Sequence, residues 1–204
     1  MPTVYQLKPA FQNLLRPMTR FLARKGVTAN QVTIFAAVLS ALEGLWIYLQ
    51  PTNPAALLGL PVVLFLRMAL NAIDGMLARE HGQKSNLGGV LNELGDIVSD
   101  TCLYLPFVAH PAMSPLLVVA FVLLAILTEC TGLTLASLGG GRRYEGPMGK
   151  SDRALFWGVV GFLAAIGVGL TSWINWALAV AIALLVYTVI NRTRKGLAEL
   201  ESAT

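Results

Sequence analysis

Six long apolar runs restrict most strongly what this chain can fold into. A helix that crosses the hydrocarbon core of a bilayer needs about 20 mostly apolar residues, and each run approaches or exceeds that length. Charged residues make up 13% of the 204 residues, against about 25% in soluble domains. Lipid is therefore the expected solvent. The runs cover residues 31–49, 55–77, 87–109, 115–138, 154–170 and 173–190.

The segment before the first run has a different pattern. Between Leu7 and Arg24, apolar side chains recur at intervals of three and four, with basic residues such as Lys8 mostly between them. This pattern predicts an amphipathic helix that lies in the membrane interface; a helix packed on the rest of the domain is the alternative. The sequence thus predicts an all-α, polytopic membrane protein with an N-terminal interfacial amphipathic helix plus six transmembrane helices. Its expected segments are an N-terminal segment 1–29, a membrane domain 30–192 and a cytoplasmic tail 193–204.

The basic residues indicate how the chain is oriented in the membrane. The connections after the first, third and fifth runs contain no Lys or Arg, and every Lys and Arg except Arg67 lies in the other segments. Because Lys and Arg are enriched in cytoplasmic loops, both termini are expected to be cytoplasmic. The predicted location is integral to a membrane, the inner membrane if the source is bacterial.

Polar residues interrupt the second and third runs. On the second run they recur at spacings of three and four toward its cytoplasmic end, and on the third run they recur every four residues, so that each set shares one helical face. Ionisable groups at membrane depth normally face the bundle interior or a wet cavity and point to a functional site. The polar residues are Arg67, Asn71 and Asp74 on the second run and Asn92, Glu93, Asp96 and Asp100 on the third, and the small residues Ala78 and Gly88 share these faces by spacing.

Oxygen ligands dominate this set, and neither cysteine of the chain lies in a zinc-binding spacing. Such ligands suit a hard cation, Mg²⁺ or Mn²⁺, which also binds phosphate oxygens. Metal ions of this kind assist in-line displacement at phosphorus, and a remaining carboxylate can deprotonate an attacking hydroxyl. The alternative is that the acidic residues and Arg67 only form ion pairs between helices.

The spacing of these residues is specific. From Asn71 to Asp96 the sequence follows N-x2-D-G-x2-A-R-x8-G-x3-N-x3-D. It resembles the signature D-x2-D-G-x2-A-R-x8-G-x3-D-x3-D of the class I CDP-alcohol phosphotransferases, also called CDP-alcohol phosphatidyltransferases, and six of the eight fixed positions match. The stretch 27–33 is similar to the P-N-x-x-T sequence that begins the family's first membrane helix, with Ala29 in place of proline.

The resemblance implies an activity and a set of roles. Such enzymes transfer a substituted phosphoryl group from a CDP-linked donor to an alcohol in phospholipid biosynthesis and release CMP. The transferred group is expected to be phosphatidyl here, and the reaction is expected to require Mg²⁺ or Mn²⁺. It implies CDP-diacylglycerol as donor, a small alcohol as acceptor, a homodimer and a cytoplasm-facing site, with no nucleic-acid partner. Asp96 is the expected catalytic base. Residues expected to form the CDP site are Gly75, Ala78, Arg79 and Gly88.

The metal ligands depart from the family pattern. The first and third aspartates of the signature are Asn71 and Asn92 here, so two negative charges are lost. Glu93 and Asp100 on the third run are predicted to replace them. The predicted metal ligands are Asn71, Asp74, Asn92, Glu93, Asp96 and Asp100.

Acceptor recognition is predicted at the start of the fifth run. The loop that leads to Lys150 and Arg153 is similar to a G-K-x-K-T stretch that binds a phosphorylated acceptor in some family members, so both residues are expected to bind an acceptor or lipid phosphate. Alternatively, Lys150 and Arg153 only anchor the cytoplasmic end of the fifth run, as basic residues in cytoplasmic loops commonly do. Glu129, deep in the fourth run, is either an acceptor contact or a partner for Arg67.

Two other functions stay open from the sequence. The loss of two aspartates allows a catalytically silent relative that binds CDP-lipids. Carboxylates and an arginine inside a helical bundle are also compatible with a small transporter, although a nucleotide-handling signature favours the transferase.

Overall fold

The computed structural model describes residues 4–203, with side chains described from residue 10 to residue 202. Within these residues the chain forms helices and their connections, without a strand. The predicted all-α class is therefore confirmed. The α-helices are α1 Val4–Arg24, α2 Ala29–Leu49, α3 Pro54–Glu80, α4 Asn86–Tyr104, α5 Pro115–Ser137, α6 Lys150–Ala165 and α7 Ile174–Ala203.

Four of these helices are long and apolar enough to cross a membrane, namely α2, α3, α5 and most of α7. The charged residues of α4, including Asp96 and Asp100, lower its apolar character. Helix α6 has 16 residues, about 24 Å at 1.5 Å per residue, against a hydrocarbon core of about 30 Å. The predicted count of six spans therefore stays a prediction.

Three helix ends differ from the predicted apolar runs. Helix α4 ends at Tyr104 and continues as a 3-10 segment, Leu105–Ala109, where Pro106 lacks the N–H that a regular helix needs. Helix α6 ends before Gly167, whose positive φ of 85° is a conformation that favours glycine. Helix α7 continues to Ala203, so the predicted tail 193–204 is helical in its described part.

The chain divides into two compact units. Unit 1 combines the described residues up to Leu42 with Val62–Ser99, and unit 2 combines Glu43–Pro61 with the described residues from Asp100 onward. In unit 1, a small apolar core brings α1, α2 and α3 together. Its buried members are Ala29, Val32, Ile73 and Leu77, with Leu15, Leu22, Ala23, Val27, Leu70 and Ala78 packed against them.

Helix α1 has one buried side and one exposed apolar side. Thr19 is fully buried and lies 3.9 Å from the sulfur of Met76 on α3. By contrast, Leu14, Met18 and Phe21 are at least half exposed. Helix α1 thus packs on the other helices of unit 1, as the alternative interpretation expects. The exposed apolar side is compatible with a position in the membrane interface, which stays a prediction. Residues 1–3 and Thr204 and the side chains of Leu7 and Lys8 lie outside what the structure describes.

An aromatic cluster forms the core of unit 2. Trp157 on α6 is fully buried and stacks on Tyr104 with ring centroids 5.5 Å apart. Phe107 and Phe121 lie against the same indole, at 4.6 and 5.5 Å. Offset and edge-to-face aromatic pairs of this kind stabilise a core beyond simple area burial.

Gly44 on α2 marks a close approach to α4 within unit 2. A Cβ atom at this position would lie 1.9 Å from the backbone oxygen of Cys102. Because the obstacle is backbone, Gly44→Ala is expected to lower the free energy of unfolding by about 1–3 kcal/mol, measured by thermal unfolding in detergent. Gly89→Ala is the control, since nothing lies within 4 Å of its Cβ position. Equal stability of the two variants would contradict this packing.

Candidate active site

Asp96 on α4 is held by two side chains of α3 within unit 1. The amide of Asn71 donates a hydrogen bond of 3.1 Å to Oδ1 of Asp96. The guanidinium of Arg67 lies 3.4 Å from the same oxygen and donates to the backbone oxygen of Asp96 at 3.1 Å. The side chain of Arg67 is 4% exposed and that of Asp96 is 23% exposed. Asp96 is thus an oriented carboxylate whose side chain is still partly exposed.

Asp74 lies one helical turn beyond Asn71 on α3 and is buried. The hydroxyl of Thr33 on α2 donates a hydrogen bond of 2.8 Å to its Oδ2, and also bonds to the backbone oxygen of Ala29. A buried carboxylate needs such a partner, because an unpaired buried charge is strongly unfavourable. The contact ties the start of α2 to the polar face of α3.

Small residues of the predicted CDP site lie where neighbouring side chains approach the backbone. A Cβ at Gly75 would lie 3.0 Å from Nη2 of Arg79, so the guanidinium crosses this glycine. A Cβ at Gly88 would lie 2.9 Å from the side-chain oxygen of Asn30. Ala78 packs, partly buried, against the core of unit 1. These positions leave room for polar groups close to the helices.

Three contacting residues, Asn30, Thr33 and Gln83, are absent from the predicted site. Gln83, in the connection between α3 and α4, accepts from the backbone N–H of Ala29 at 2.7 Å and donates to Val27 at 3.3 Å. Asn30 and Thr33 belong to the stretch 27–33, whose similarity to a family sequence was the signal that could have identified them. Gln83 carried no comparable signal.

The oxygen donors of unit 1 suit a hard divalent cation. Asp74 and Asp96 supply carboxylates, and Asn71 and Asn92 supply neutral amide oxygens; Asn92 and Glu93 are half-buried on α4. Among the described residues, no group of three or more His, Cys, Asp or Glu side chains is arranged to hold a metal. Carboxylate and amide oxygens of this kind are compatible with Mg²⁺ or Mn²⁺.

Asp100 lies in a different environment from the other predicted metal ligands. In unit 2 its Oδ2 accepts hydrogen bonds from Nη2 and Nε of Arg153, at 3.0 and 3.3 Å. The side chains of Asp100 and Arg153 are 8% and 1% exposed. Asp100 thus serves as the partner of a buried arginine, and Arg153, predicted to bind a phosphate, is engaged by the protein. Lys150 begins α6 and is half-buried.

Glu129 on α5 completes this buried group. Its carboxylate lies 3.0 Å from Arg153, 3.0 Å from Arg142 and 3.6 Å from Arg192. These three arginines are its partners within unit 2, whereas Arg67, the partner considered from the sequence, belongs to unit 1 and pairs there with Asp96. We call Asp100, Glu129, Arg142, Arg153 and Arg192 the arginine cluster. Neither its assembly nor the burial of Arg192, which is 1% exposed, was predicted.

The connection from α5 to α6 is fastened to the end of α7. Arg143 pairs with Glu199 and donates to the backbone oxygen of Lys195 at 3.3 Å. The backbone N–H of Gly141 donates to Glu199 at 3.2 Å. The helical extension of α7 thereby holds the loop that supplies Arg142 to the arginine cluster.

The profile of the CDP-alcohol phosphatidyltransferase family matches residues 26–191. Inner membrane protein YnbA of Escherichia coli (strain K12) is 49% identical over 195 residues, which are 96% of this chain and 96% of that protein. The archaetidylinositol phosphate synthase of Aeropyrum pernix is 30% identical over 190 residues, 92% of each chain. The phosphatidylinositol phosphate synthase of Mycobacterium marinum is 29% identical over 189 residues, 89% of this chain and 76% of that protein.

Solved structures share the fold. The crystal structure of Mycobacterium tuberculosis phosphatidylinositol phosphate synthase (PgsA1) with CDP-DAG bound has a TM-score of 0.68 at 20% identity, covering 90% of this chain and 92% of that chain. The same enzyme in complex with manganese and citrate has a TM-score of 0.65, covering 90% and 87%. With its membrane-spanning helices and its similarity to an inner membrane protein, the chain is an integral membrane protein. The profile match over most of its length shows that this chain belongs to the CDP-alcohol phosphatidyltransferase family, the transferases of phospholipid synthesis.

Proposed function

We propose that the chain transfers a phosphatidyl group from CDP-diacylglycerol to an alcohol and releases CMP. The observation that carries the proposal is the carboxylate of Asp96, which Asn71 and Arg67 orient and which is still partly exposed. The donor is proposed because a structure of similar fold holds CDP-DAG. Its acyl chains would stay in the bilayer while the headgroup reaches the polar face of unit 1.

Asp96 is the proposed catalytic base. The acceptor hydroxyl gives its proton to Asp96, the hydroxyl oxygen forms a bond to the phosphorus that carries diacylglycerol, and the bond between that phosphorus and the CMP oxygen breaks. Asn71 and Arg67 fix the carboxylate, which aids proton transfer because a base must lie within hydrogen-bond reach of the proton. Gly75, Ala78, Arg79 and Gly88 are proposed to receive the CDP group, with the Arg79 guanidinium as a counter-charge for phosphate.

A divalent ion, Mg²⁺ or Mn²⁺, is proposed to be held by Asp74 and Asp96 with the amide oxygens of Asn71 and Asn92. When bound by these residues, such an ion would supply positive charge beside the donor phosphate and the departing CMP. Glu93 is proposed to supply a further carboxylate in place of the missing aspartates, whereas Asp100 is engaged by Arg153. Cytoplasmic termini, a cytoplasm-facing site and a homodimer stay predictions from charge and family resemblance.

The proposal is tested by CMP release from the purified protein with CDP-diacylglycerol and a panel of alcohols. Release is expected to depend on acceptor and on Mg²⁺ or Mn²⁺, and to fall to background after chelation because the donor phosphate loses its counter-charge. Restoration by added metal is the control. Binding of CDP-diacylglycerol without release under any condition would instead indicate the silent relative that Asn71 and Asn92 allow.

A further inference from the structure

Resting on the proposed function, we infer that the acceptor is an alcohol without a phosphate group, and that Glu129 is the residue that determines this specificity. The arginine cluster has the composition of a phosphate site, because several guanidinium groups in one place are a common means of binding phosphate. In this chain, however, these guanidinium groups already pair with an internal carboxylate, that of Glu129.

The geometry of Glu129 resembles that of a bound anion. Its Oε1 lies 3.0 Å from Nη2 of Arg153 and 3.6 Å from Nη1 of Arg192, and its Oε2 lies 3.0 Å from Nη2 of Arg142. One carboxylate therefore faces three guanidinium groups. The side chain of Glu129 is 10% exposed, so water does not screen these ion pairs strongly.

Arg153 has no donor left for a ligand. A guanidinium has five N–H donors. Nε and Nη2 bond to Asp100, Nη2 also bonds to Glu129 at 3.0 Å, and Nη1 bonds to the hydroxyl of Thr128 at 3.1 Å and the backbone oxygen of Met148 at 3.3 Å. A phosphate would have to break one of these bonds.

Arg192 and Arg142 are engaged in a similar way by backbone oxygens. Arg192 donates to Glu145 at 3.1 Å, to Tyr144 at 3.0 Å and to Thr128. Arg142 donates through Nη1 to the backbone oxygen of Glu129 at 3.2 Å. The positive charge in excess of the two carboxylates is thus met by carbonyl dipoles of the protein and does not require an external anion.

Exclusion of a phosphate follows from charge. An acceptor phosphate at the cluster would either lie beside the Glu129 carboxylate, with like charges in a poorly solvated site, or displace that carboxylate from its partners. Both arrangements are strongly unfavourable, because like charges repel in a poorly solvated site. An uncharged alcohol meets neither penalty.

The test compares acceptors in the CMP-release assay. Glycerol and other polyols are measured beside their monophosphates, with the wild-type chain and Glu129→Gln. The wild type is expected to favour polyols by roughly tenfold or more, and Glu129→Gln to move that ratio toward the monophosphates by a similar factor, since the substitution removes the charge that repels the phosphate. A wild type that favours monophosphates, or a ratio that Glu129→Gln does not change, would overturn the inference.

Two further variants separate charge from structure. Glu129→Asp keeps the charge and is expected to keep the preference for polyols. Glu145→Gln is the matched control, because the Glu145 carboxylate forms its salt bridge with Arg143 and acts on Arg192 of the cluster only as a nearby charge, without an ion-pair contact. If this control changes the ratio as much as Glu129→Gln does, the effect is not specific to the cluster and the inference fails.

A binding measurement distinguishes failure of this inference from failure of the proposed function. Thermal unfolding is followed with inorganic phosphate and with chloride at equal ionic strength. The wild type is expected to show no phosphate-specific stabilisation, and Glu129→Gln to gain it. Phosphate-specific stabilisation of the wild type would contradict the inference even if no acceptor supports CMP release, or if the variant does not fold.

Discussion

Asp96→Asn is expected to lower kcat/KM for CMP release by about 10²–10⁴-fold, the usual contribution of a positioned general base. The substitution keeps the size of the side chain and an oxygen that can accept from Asn71, which lies 3.1 Å from the present carboxylate. What it removes is the ability to take the proton of the acceptor hydroxyl and a negative ligand for a divalent ion. The loss therefore concerns turnover more than folding.

The matched control is Glu80→Gln on α3. Its carboxylate forms an exposed ion pair with Arg16 at 3.0 Å, with side chains 38% and 36% exposed, and such pairs have little energetic effect. CMP release by this variant should equal that of the wild type. Both variants are checked for unchanged thermal unfolding in detergent. Substantial turnover by a folded Asp96→Asn chain would remove Asp96 from the role of base.

The local part of the site was predictable because helical periodicity dictates it. Asn71 and Asp74 are three residues apart, so they share one face of α3, and Asp96 lies on the polar face of α4. The hydrogen bond between Asn71 and Asp96 agrees with the expectation that the two polar faces meet. The family signature identified the same residues, and the profile match confirms the family.

The arginine cluster could not be predicted from spacing. Its members come from α4, α5, α6, α7 and a loop, and no periodic pattern relates Glu129 to Arg192. Arg192 followed the last apolar run and was interpreted as a cytoplasmic residue by its position. Only tertiary packing shows that Arg192 is buried and that Asp100 pairs with Arg153.

Helix boundaries were predictable where the sequence carries a local stop and not elsewhere. Pro106 and Gly167 explain why α4 and α6 end before their apolar runs do. The extension of α7 depends instead on a distant partner. Glu199 holds Arg143 and Gly141, and hydropathy gives no indication of such a contact. The tail was therefore predicted as a separate segment.

Arg153→Met is expected to destabilise the protein by about 3–5 kcal/mol, the usual effect of removing one partner of a buried ion pair. The guanidinium is 1% exposed and pairs with both Asp100 and Glu129 at 3.0 Å. Without it, two carboxylates stay in a poorly solvated site with fewer donors. Thermal and denaturant unfolding in detergent measure the loss. Arg16→Met is the control, expected to change stability by less than about 1 kcal/mol because its pair with Glu80 is exposed.

Neutralising a carboxylate should reverse part of that loss. When Asp100→Asn is added to Arg153→Met, one of the two carboxylates that lost Arg153 is neutralised, so the double variant should be more stable than the sum of the single effects predicts. Residues in direct contact usually deviate from additivity by about 0.5–3 kcal/mol. Additive effects would mean that Asp100 and Arg153 do not interact energetically. Glu129 would then be the main partner of Arg153, and the Asp100 carboxylate would be available for the metal-binding role that the sequence predicts.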